Sequence, residues 1–130
     1  MDKNISHSED LTRYILNHHY IRSNKTVRWN ALIPNRDGET SVYRITGISD
    51  TEIFEIGEMF VANLIGKPLL GRTDIGVLKI FKQRLNVRPE PSPHPRHANI
   101  YGWPDERSEQ RLIAMELAAE AQLHLVDNSG

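Results

Sequence analysis

The stretch VRWNALI–PNRDGET–SVYRIT, residues 27–46, decides the expected fold. In its first part the odd positions from Val27 to Ile33 are apolar, which is the alternation of a strand with one buried face. Residues 41–46 are rich in β-branched and aromatic types, and the seven residues in between are dense in turn formers. We therefore expect a β-hairpin over 27–46, with a small antiparallel sheet built on it.

Helical signals stand on both sides of this hairpin. Apolar residues recur at helical spacing after Ser8 and predict a helix that fades near residues 19–23. On the other side, residues 49–52 read Ser-Asp-Thr-Glu, which is a capping box that satisfies the first backbone N–H groups of a helix. Gly66 and Pro68 are a typical helix end. These patterns predict one helix before the hairpin and one directly after it.

Two more helices are expected further along the chain. Residues 76–84 alternate poorly and suit a short helix better than a strand. Pro104, followed by Asp105 and Glu106, starts a last helix that is rich in alanine from Leu112 to Leu123 and apolar nearly all round. Such a helix is usually buried on most sides, against a sheet or against a partner.

The remaining segments complete an α+β fold. Residues 71–75 are expected to be a short polar connection, 87–88 a brief strand, and about 96–101 a strand added to the hairpin's sheet. The predicted architecture is a single domain over 1–130, in which a small antiparallel sheet carries three to four helices packed mainly on one face. Residues 1–7 and 126–130 are expected to fray.

Composition narrows the class of protein. The chain has 130 residues, a net charge of −1 and no cysteine, so disulfides, thiolate metal sites and a cysteine nucleophile are all excluded. No apolar run approaches the roughly 18 residues of a membrane span, and the polar N-terminus lacks the apolar stretch of a signal peptide. The expectation is a cytoplasmic protein with no membrane partner.

Charge is distributed in blocks. Residues 11–36 carry five basic side chains and no acidic one, and residues 79–103 carry five basic side chains against Glu90 alone. Residues 37–78 and 104–130 are mainly acidic. If the basic blocks meet in space, they form a positive face for phosphate or polyanion. Alternatively, they pair with the acidic blocks and cancel.

Residues 88–104, RPEPSPHPRHANIYGWP, hold the candidate site. Five prolines keep this segment extended and exclude a helix. Histidine exchanges protons near neutrality, so His97 and His94 are the candidate catalytic acid or base. Arginine binds phosphate or a developing oxyanion through forked hydrogen bonds, an amide orients a substrate, and a tyrosine stacks on a base. The candidate ligand-binding residues on these grounds are Arg44, Arg72, Arg96, Asn99 and Tyr101.

Metal and cofactor signals are absent from the sequence. His94 and His97 are three residues apart, but Pro95 prevents helical spacing and no third ligand is indicated. Gly66-Lys67 and Gly71-Arg72 lack the spacing of a phosphate-binding loop. No metal and no cofactor are predicted.

Two functions follow from these features. The first is binding of a phosphate-bearing ligand, a nucleotide or RNA, at an Arg/His pocket, with phosphoryl or nucleotidyl transfer or hydrolysis if there is turnover. The alternative is a non-catalytic interaction module, such as an immunity protein, an antitoxin or a subunit of a larger complex. In that case a protein partner or a second copy would bind through residues 104–123, whose apolar helix a chain of this size would not fully cover.

Overall fold

A computed structural model of the chain describes residues 4–126 and contains one six-stranded antiparallel sheet. The strand order is β4-β5-β2-β1-β3-β6. The strands are β1 (Asp10–Ile15), β2 (Thr40–Arg44), β3 (Gly71–Gly76), β4 (Asn86–Pro89), β5 (His97–Tyr101) and β6 (Gln122–Leu125). The helices are α1 (Asp50–Gly57), α2 (Asn63–Ile65), α3 (Val77–Lys82) and α4 (Arg107–Glu120), and a π-helical turn, Glu58–Ala62, joins α1 to α2. The fold is therefore mixed α+β.

The helices lie on both faces of the sheet, which corrects the expectation that they pack mainly on one. Leu11 and Val42 face a core that includes Ile80 of α3 and Leu117 of α4. We call this side the α4 face. Because successive strand residues alternate between faces, Tyr14 and Tyr43 point the other way. They pack with Ile53 and Ile56 of α1, on what we call the α1 face.

The helix after the capping box is confirmed. Ser49 is its N-cap, and its Oγ accepts a hydrogen bond from the backbone N–H of Glu52 at 3.2 Å. The helical segment that continues through the π-helical turn and α2 ends at Gly66, whose φ of +79° belongs to the left-handed region that glycine occupies without steric cost. The predicted short helix near 76–84, the brief strand near 87 and the added strand near 96–101 are confirmed as α3, β4 and β5.

The predicted hairpin is wrong in its first half. Residues 27–33 form no strand of the sheet; Trp29–Ala31 is a 3-10 turn. The partners of β2 are β1 and β5. Trp29 and Ile33 still pack against the core, so their alternation reflects burial beside the sheet rather than membership of it. The hydroxyl of Thr40 donates to the carbonyl of Leu32 at 2.9 Å and ties this turn to β2.

Two further segments, one expected to be a helix and the other a polar connection, are strands. The segment after Ser8 is β1 rather than a helix; as a central strand it is buried on both faces, so its apolar residues do not alternate with polar ones. Residues 71–75, expected to be a polar connection, are β3. The polar side chains of Arg72 and Asp74 are tolerated there because they form an ion pair with each other.

The last helix begins later and ends earlier than expected. It runs from Arg107 to Glu120, and Leu123 belongs to the edge strand β6. It is not buried on most sides: Ala114 and Leu117 face the core, whereas Leu112 is 65% and Met115 45% exposed.

The ends of the chain fall partly outside the described residues. Of the termini expected to fray, 1–3 and 127–130 lie outside them. Ile5 packs against the core of the α4 face, and the backbone N–H of Val126 donates to the carbonyl of Leu70. Within residues 4–126, no helix has the length and apolar character needed to cross a membrane.

Candidate functional site

A row of polar side chains crosses strands β2, β5 and β4 on the α1 face. Ser41 lies opposite Asn99, and Asn99 lies opposite Arg88, so these three residues form one line across the sheet. We call the row and its neighbours the polar strip; its members are Glu39, Ser41, Arg88, His97, Asn99 and Tyr101. Ser41, Asn99 and Tyr101 are half-buried and Arg88 is exposed, so solvent reaches the strip.

His97 is held at the inner end of this strip by two hydrogen bonds. Its Nδ1 lies 2.8 Å from the backbone carbonyl of Glu90, and its Nε2 lies 2.6 Å from the hydroxyl of Ser41. The ring packs edge-on against Tyr43, with ring centroids 5.2 Å apart. His97 is therefore almost fully buried and fixed in orientation, although it lies beside a solvent-accessible hydroxyl.

These contacts define the tautomer of the neutral ring. A carbonyl oxygen can only accept, so Nδ1 must carry the proton that it donates to Glu90. Nε2 then has a lone pair, and the hydroxyl of Ser41 is the donor. The imidazole is thus oriented to take a proton from Ser41.

Charges at the outer end of the strip are balanced within it. The guanidinium of Arg88 pairs with the carboxylate of Glu39, and its Nε lies 3.7 Å from a carboxylate oxygen of Glu90. It also lies 4.7 Å from the ring centroid of Tyr101, within the range of a cation–π contact. The hydrogen bond that Arg88 donates to the carboxylate of Glu39 raises the pKa of Arg88.

His94 lies near His97 but makes different contacts. Its Nδ1 accepts a hydrogen bond from the backbone N–H of Arg96 at 3.0 Å, and its ring meets Phe60 edge-on at 4.7 Å. Burial lowers the pKa of His94, and the charge of Arg96 lowers it further. The neutral form of this imidazole is therefore favoured.

The predicted arginines do not share one pocket with His97. Arg44 points to the α4 face and forms an ion pair with Glu9, while Arg96 donates to the backbone carbonyl of Arg44 at 3.2 Å. Arg72 lies on the α1 face, where it pairs with Asp50 and Asp74.

The rings of Tyr14 and Tyr43 stand between Arg72 and His97. Of the residues proposed from sequence, the structure brings together His97, Asn99 and Tyr101 on the polar strip.

A second polar region was not singled out from sequence. A cavity of about 600 Å³ lies between the end of β1 and the loop that precedes β2. We call it the Arg13 cavity; its lining includes Arg13, Tyr20, Asn30, Asn35, Arg36 and Asp37. A cavity of this size is within the range that small ligands occupy.

Arg13 bridges β1 and β2 where the two strands separate. Its Nε donates to the carbonyl of Ala31 at 3.1 Å, and one terminal nitrogen donates to the carbonyl of Ser41 at 2.9 Å. Burial lowers the pKa of Arg13. No carboxylate among the described residues pairs with it, so the partly desolvated charge has only backbone carbonyls as partners.

The charged residues that line this cavity are Arg13, Arg36 and Asp37, and the two arginines belong to the basic block 11–36 of the sequence. Within residues 4–126, Arg22, Lys25, Arg28 and Arg36 form no ion pair either. The sequence signal was the block 11–36 with five basic residues and no acid. In the other block, Lys79 and Arg88 do pair with acids. Acidic partners therefore neutralise some of the basic side chains in block 79–103, whereas those of block 11–36 have no such partners among the described residues.

Ser41 had no signal in the sequence, because its partner His97 is 56 residues away along the chain. Among the described residues, no group of three or more His, Asp or Glu side chains is placed to hold a metal ion.

Comparison with family models, with curated proteins and with solved structures finds no match.

Proposed function

We propose that this protein binds a phosphate-bearing ligand, a nucleotide or the end of an RNA, at the Arg13 cavity. The observation that supports the proposal most directly is Arg13 itself: a partly buried guanidinium with no carboxylate partner in the part of the chain that the structure describes. Leaving a desolvated cation uncompensated is unfavourable, so an anion that reaches it gains more than it would at an exposed arginine.

Other groups in the cavity suit the remainder of a nucleotide. The side-chain oxygen of Asn30 is buried and has no hydrogen-bond partner among residues 4–126, so it can accept from a base or a ribose hydroxyl. The ring of Tyr20 offers a stacking surface, and Arg36 adds a second cation at the rim. A cation can bind the phosphate of a nucleotide, an aromatic ring can stack on its base, and an amide oxygen can accept a hydrogen bond from its base or ribose.

The test is equilibrium binding measured by fluorescence anisotropy. Two probes are compared in separate titrations, a fluorescent nucleoside monophosphate and a labelled oligoribonucleotide. We expect Arg36→Gln and Asn30→Ala each to weaken binding, Arg36→Gln by about tenfold because it removes a charge-assisted contact. Neither residue holds the strands together, so both variants should fold. Arg107→Gln, the same charge change at an exposed site on α4, is the matched control.

Salt provides the second readout. Phosphate binding by cations weakens as salt rises from about 50 to 200 mM, whereas apolar binding does not. An affinity that does not depend on salt concentration, or that is equal in Arg36→Gln, Asn30→Ala and Arg107→Gln, would contradict the proposal. Preference for the oligoribonucleotide over the monophosphate would identify RNA as the ligand.

Turnover is the second part of the proposal, and it belongs to the polar strip on the α1 face, because His97 does not line the Arg13 cavity. We assign phosphoryl or nucleotidyl transfer, or hydrolysis, to His97 acting as acid or base. Its two hydrogen bonds hold the ring in one orientation, which proton transfer requires.

A second candidate function is a protein-interaction module, and the exposed face of α4 favours it. Leu112, Met115 and Ala119 recur at helical spacing and all point to solvent. Light scattering after size exclusion should then detect a complex of the wild type that Leu112→Glu with Met115→Glu abolishes. A monomer in both samples would count against self-association through α4.

A further inference from the structure

The hydroxyl of Ser41 lies in the environment of an activated nucleophile. It donates to Nε2 of His97 at 2.6 Å, a short distance for such a bond, and His97 in turn donates from Nδ1 to the carbonyl of Glu90 at 2.8 Å. A nucleophile, a base and a group that orients the base are the three parts of serine-based catalysis. Here a backbone carbonyl takes the orienting part that a carboxylate takes in the Ser-His-Asp triad.

The pair is rigid, and its hydroxyl is reachable. Ser41 and His97 lie on paired strands as diagonal neighbours, since Ser41 is opposite Asn99 and Tyr43 is opposite His97. The imidazole is only 8% exposed, whereas Ser41 is half-buried. Because the hydroxyl is the more accessible member of the pair, it is Ser41 that a substrate can reach, with the imidazole behind it as the base.

Hydrogen-bond donors lie beside Ser41 and can bind the oxygens of the phosphoryl group whose phosphorus Ser41 would attack. The amide of Asn99, directly opposite Ser41, makes no side-chain hydrogen bond within the described residues, so its N–H groups can bind an oxygen of the substrate. Arg88, which is paired with Glu39, follows Asn99 in the same row on the α1 face. An amide and a guanidinium in one row suit phosphoryl oxygens.

We propose that Ser41 is the nucleophile of a phosphoryl-transfer reaction on a phosphoric ester, with His97 as its general base. This rests on the proposed function in the class of ligand, a phosphate-bearing molecule, and not in its place, because Ser41 and His97 lie on the α1 face and do not line the Arg13 cavity. Ser41 Oγ forms a bond to phosphorus while its proton passes to Nε2 of His97. The bond from phosphorus to the ester oxygen breaks, and the leaving alcohol takes that proton. Water, deprotonated by the same imidazole, then releases phosphate and regenerates Ser41.

The nucleophile is tested with a fluorophosphonate, whose phosphorus is attacked with loss of fluoride. Peptide mass spectrometry should find the adduct on Ser41, none in Ser41→Ala, and an unchanged yield in Ser92→Ala, the control at an exposed serine. His97→Gln should slow labelling by about a hundredfold, because a general base contributes at least that much. Absence of a Ser41 adduct in the folded protein would overturn the proposal.

The absence of cysteine offers a test that does not depend on His97→Gln folding. Ser41→Cys introduces the only thiol of the chain. Because an adjacent imidazole stabilises a thiolate, its alkylation by iodoacetamide near neutral pH should be at least about tenfold faster than that of Ser92→Cys. Equal rates would mean that His97 does not activate this position.

The substrate class is tested with p-nitrophenyl phosphate and p-nitrophenyl acetate. We expect release of p-nitrophenol from the phosphate, lost in Ser41→Ala. Hydrolysis of the acetate alone would overturn the assignment to phosphoric esters.

The anisotropy assay, run on Ser41→Ala, separates this inference from the proposed function. Nucleotide binding without a Ser41 adduct in the wild type would refute only the nucleophile. An adduct without nucleotide binding would refute only the Arg13 site.

Discussion

Arg44 and Glu9 form a two-point ion pair beside the start of β1. The Nε of Arg44 lies 2.6 Å from one carboxylate oxygen of Glu9, and a terminal nitrogen lies 2.9 Å from the other. The side chains are only 5% and 12% exposed. Arg44 also donates to the backbone carbonyl of Asn4, so the pair holds the N-terminal segment against the sheet.

Glu9→Gln should destabilise the fold by about 2 kcal/mol, because it replaces a two-point, charge-assisted pair of hydrogen bonds to the buried guanidinium of Arg44 with a neutral contact. Urea denaturation measures the effect. Glu120→Gln is the matched control: its carboxylate pairs with Lys79 at the surface, where solvent screens a salt bridge and its removal should change stability little. Equal losses in the two variants would contradict a structural role for the Arg44–Glu9 pair.

The same pair predicts acid sensitivity. Burial alone would raise the pKa of Glu9, but hydrogen bonds from Arg44 and from the Ser6 backbone outweigh it, and the pKa lies below its ordinary value of 4.5. The folded state therefore favours the ionised carboxylate. Its contribution to stability is complete above about pH 4.5 and is lost as pH falls through the lower, folded-state pKa.

The difference in unfolding free energy between wild type and Glu9→Gln measures this acid sensitivity. This difference should shrink as the pH falls below about 4.5, the ordinary pKa of a glutamate. A difference that does not vary with pH would argue against the ion pair.

Gly57→Ala should cost about 1–3 kcal/mol, the usual range for overpacking. A Cβ on Gly57 would lie 2.5 Å from the ring of Tyr14, and the hydroxyl of Tyr14 is held by the carbonyl of Ile53 at 2.6 Å, so the ring cannot move aside. Thermal unfolding measures the change. Gly76→Ala, whose Cβ would stand 3.6 Å from its nearest neighbour, should leave stability unchanged or slightly raised.

The imidazole of His94 should titrate below its ordinary 6.5, because burial and then the charge of Arg96 disfavour its protonated form. NMR titration of its ring protons measures the pKa. Phe60→Ala uncovers the ring and should raise that pKa, whereas Leu64→Ala, at an exposed position on the same helical segment, should not. Because the unfolded chain binds this proton more readily, His94 lowers stability as pH falls below about 6.5.

Elements whose signals are local were predictable from sequence. Ser49 and Glu52 mark the start of α1, and Gly66 marks the end of the helical segment that follows, because capping and left-handed glycine depend on residues within a few positions. The strand at His97–Tyr101 follows a proline-rich segment that cannot be helical.

Long-range pairing was not predictable in the same way. The segment 10–15 satisfies a helical spacing, yet it is a strand because β2 and β3, about 30 and 60 residues away along the chain, supply hydrogen-bonding partners on both sides. The sequence around Arg72 and Asp74 predicts a polar connection, and a buried strand is possible there because Arg72 pairs with both Asp74 and Asp50.

The candidate site likewise has features that are local in sequence and features that depend on long-range contacts. By itself, the chain's order of residues determined that an imidazole-bearing strand and an acid-free basic block exist, since both are properties of short segments. Only the tertiary structure decided that His97 meets Ser41, that Arg44 and Arg72 are neutralised by nearby carboxylates, and that Arg13 is not. The physical reason is that hydrogen bonds and ion pairs act over a few ångströms, and only folding brings residues distant in sequence within that range.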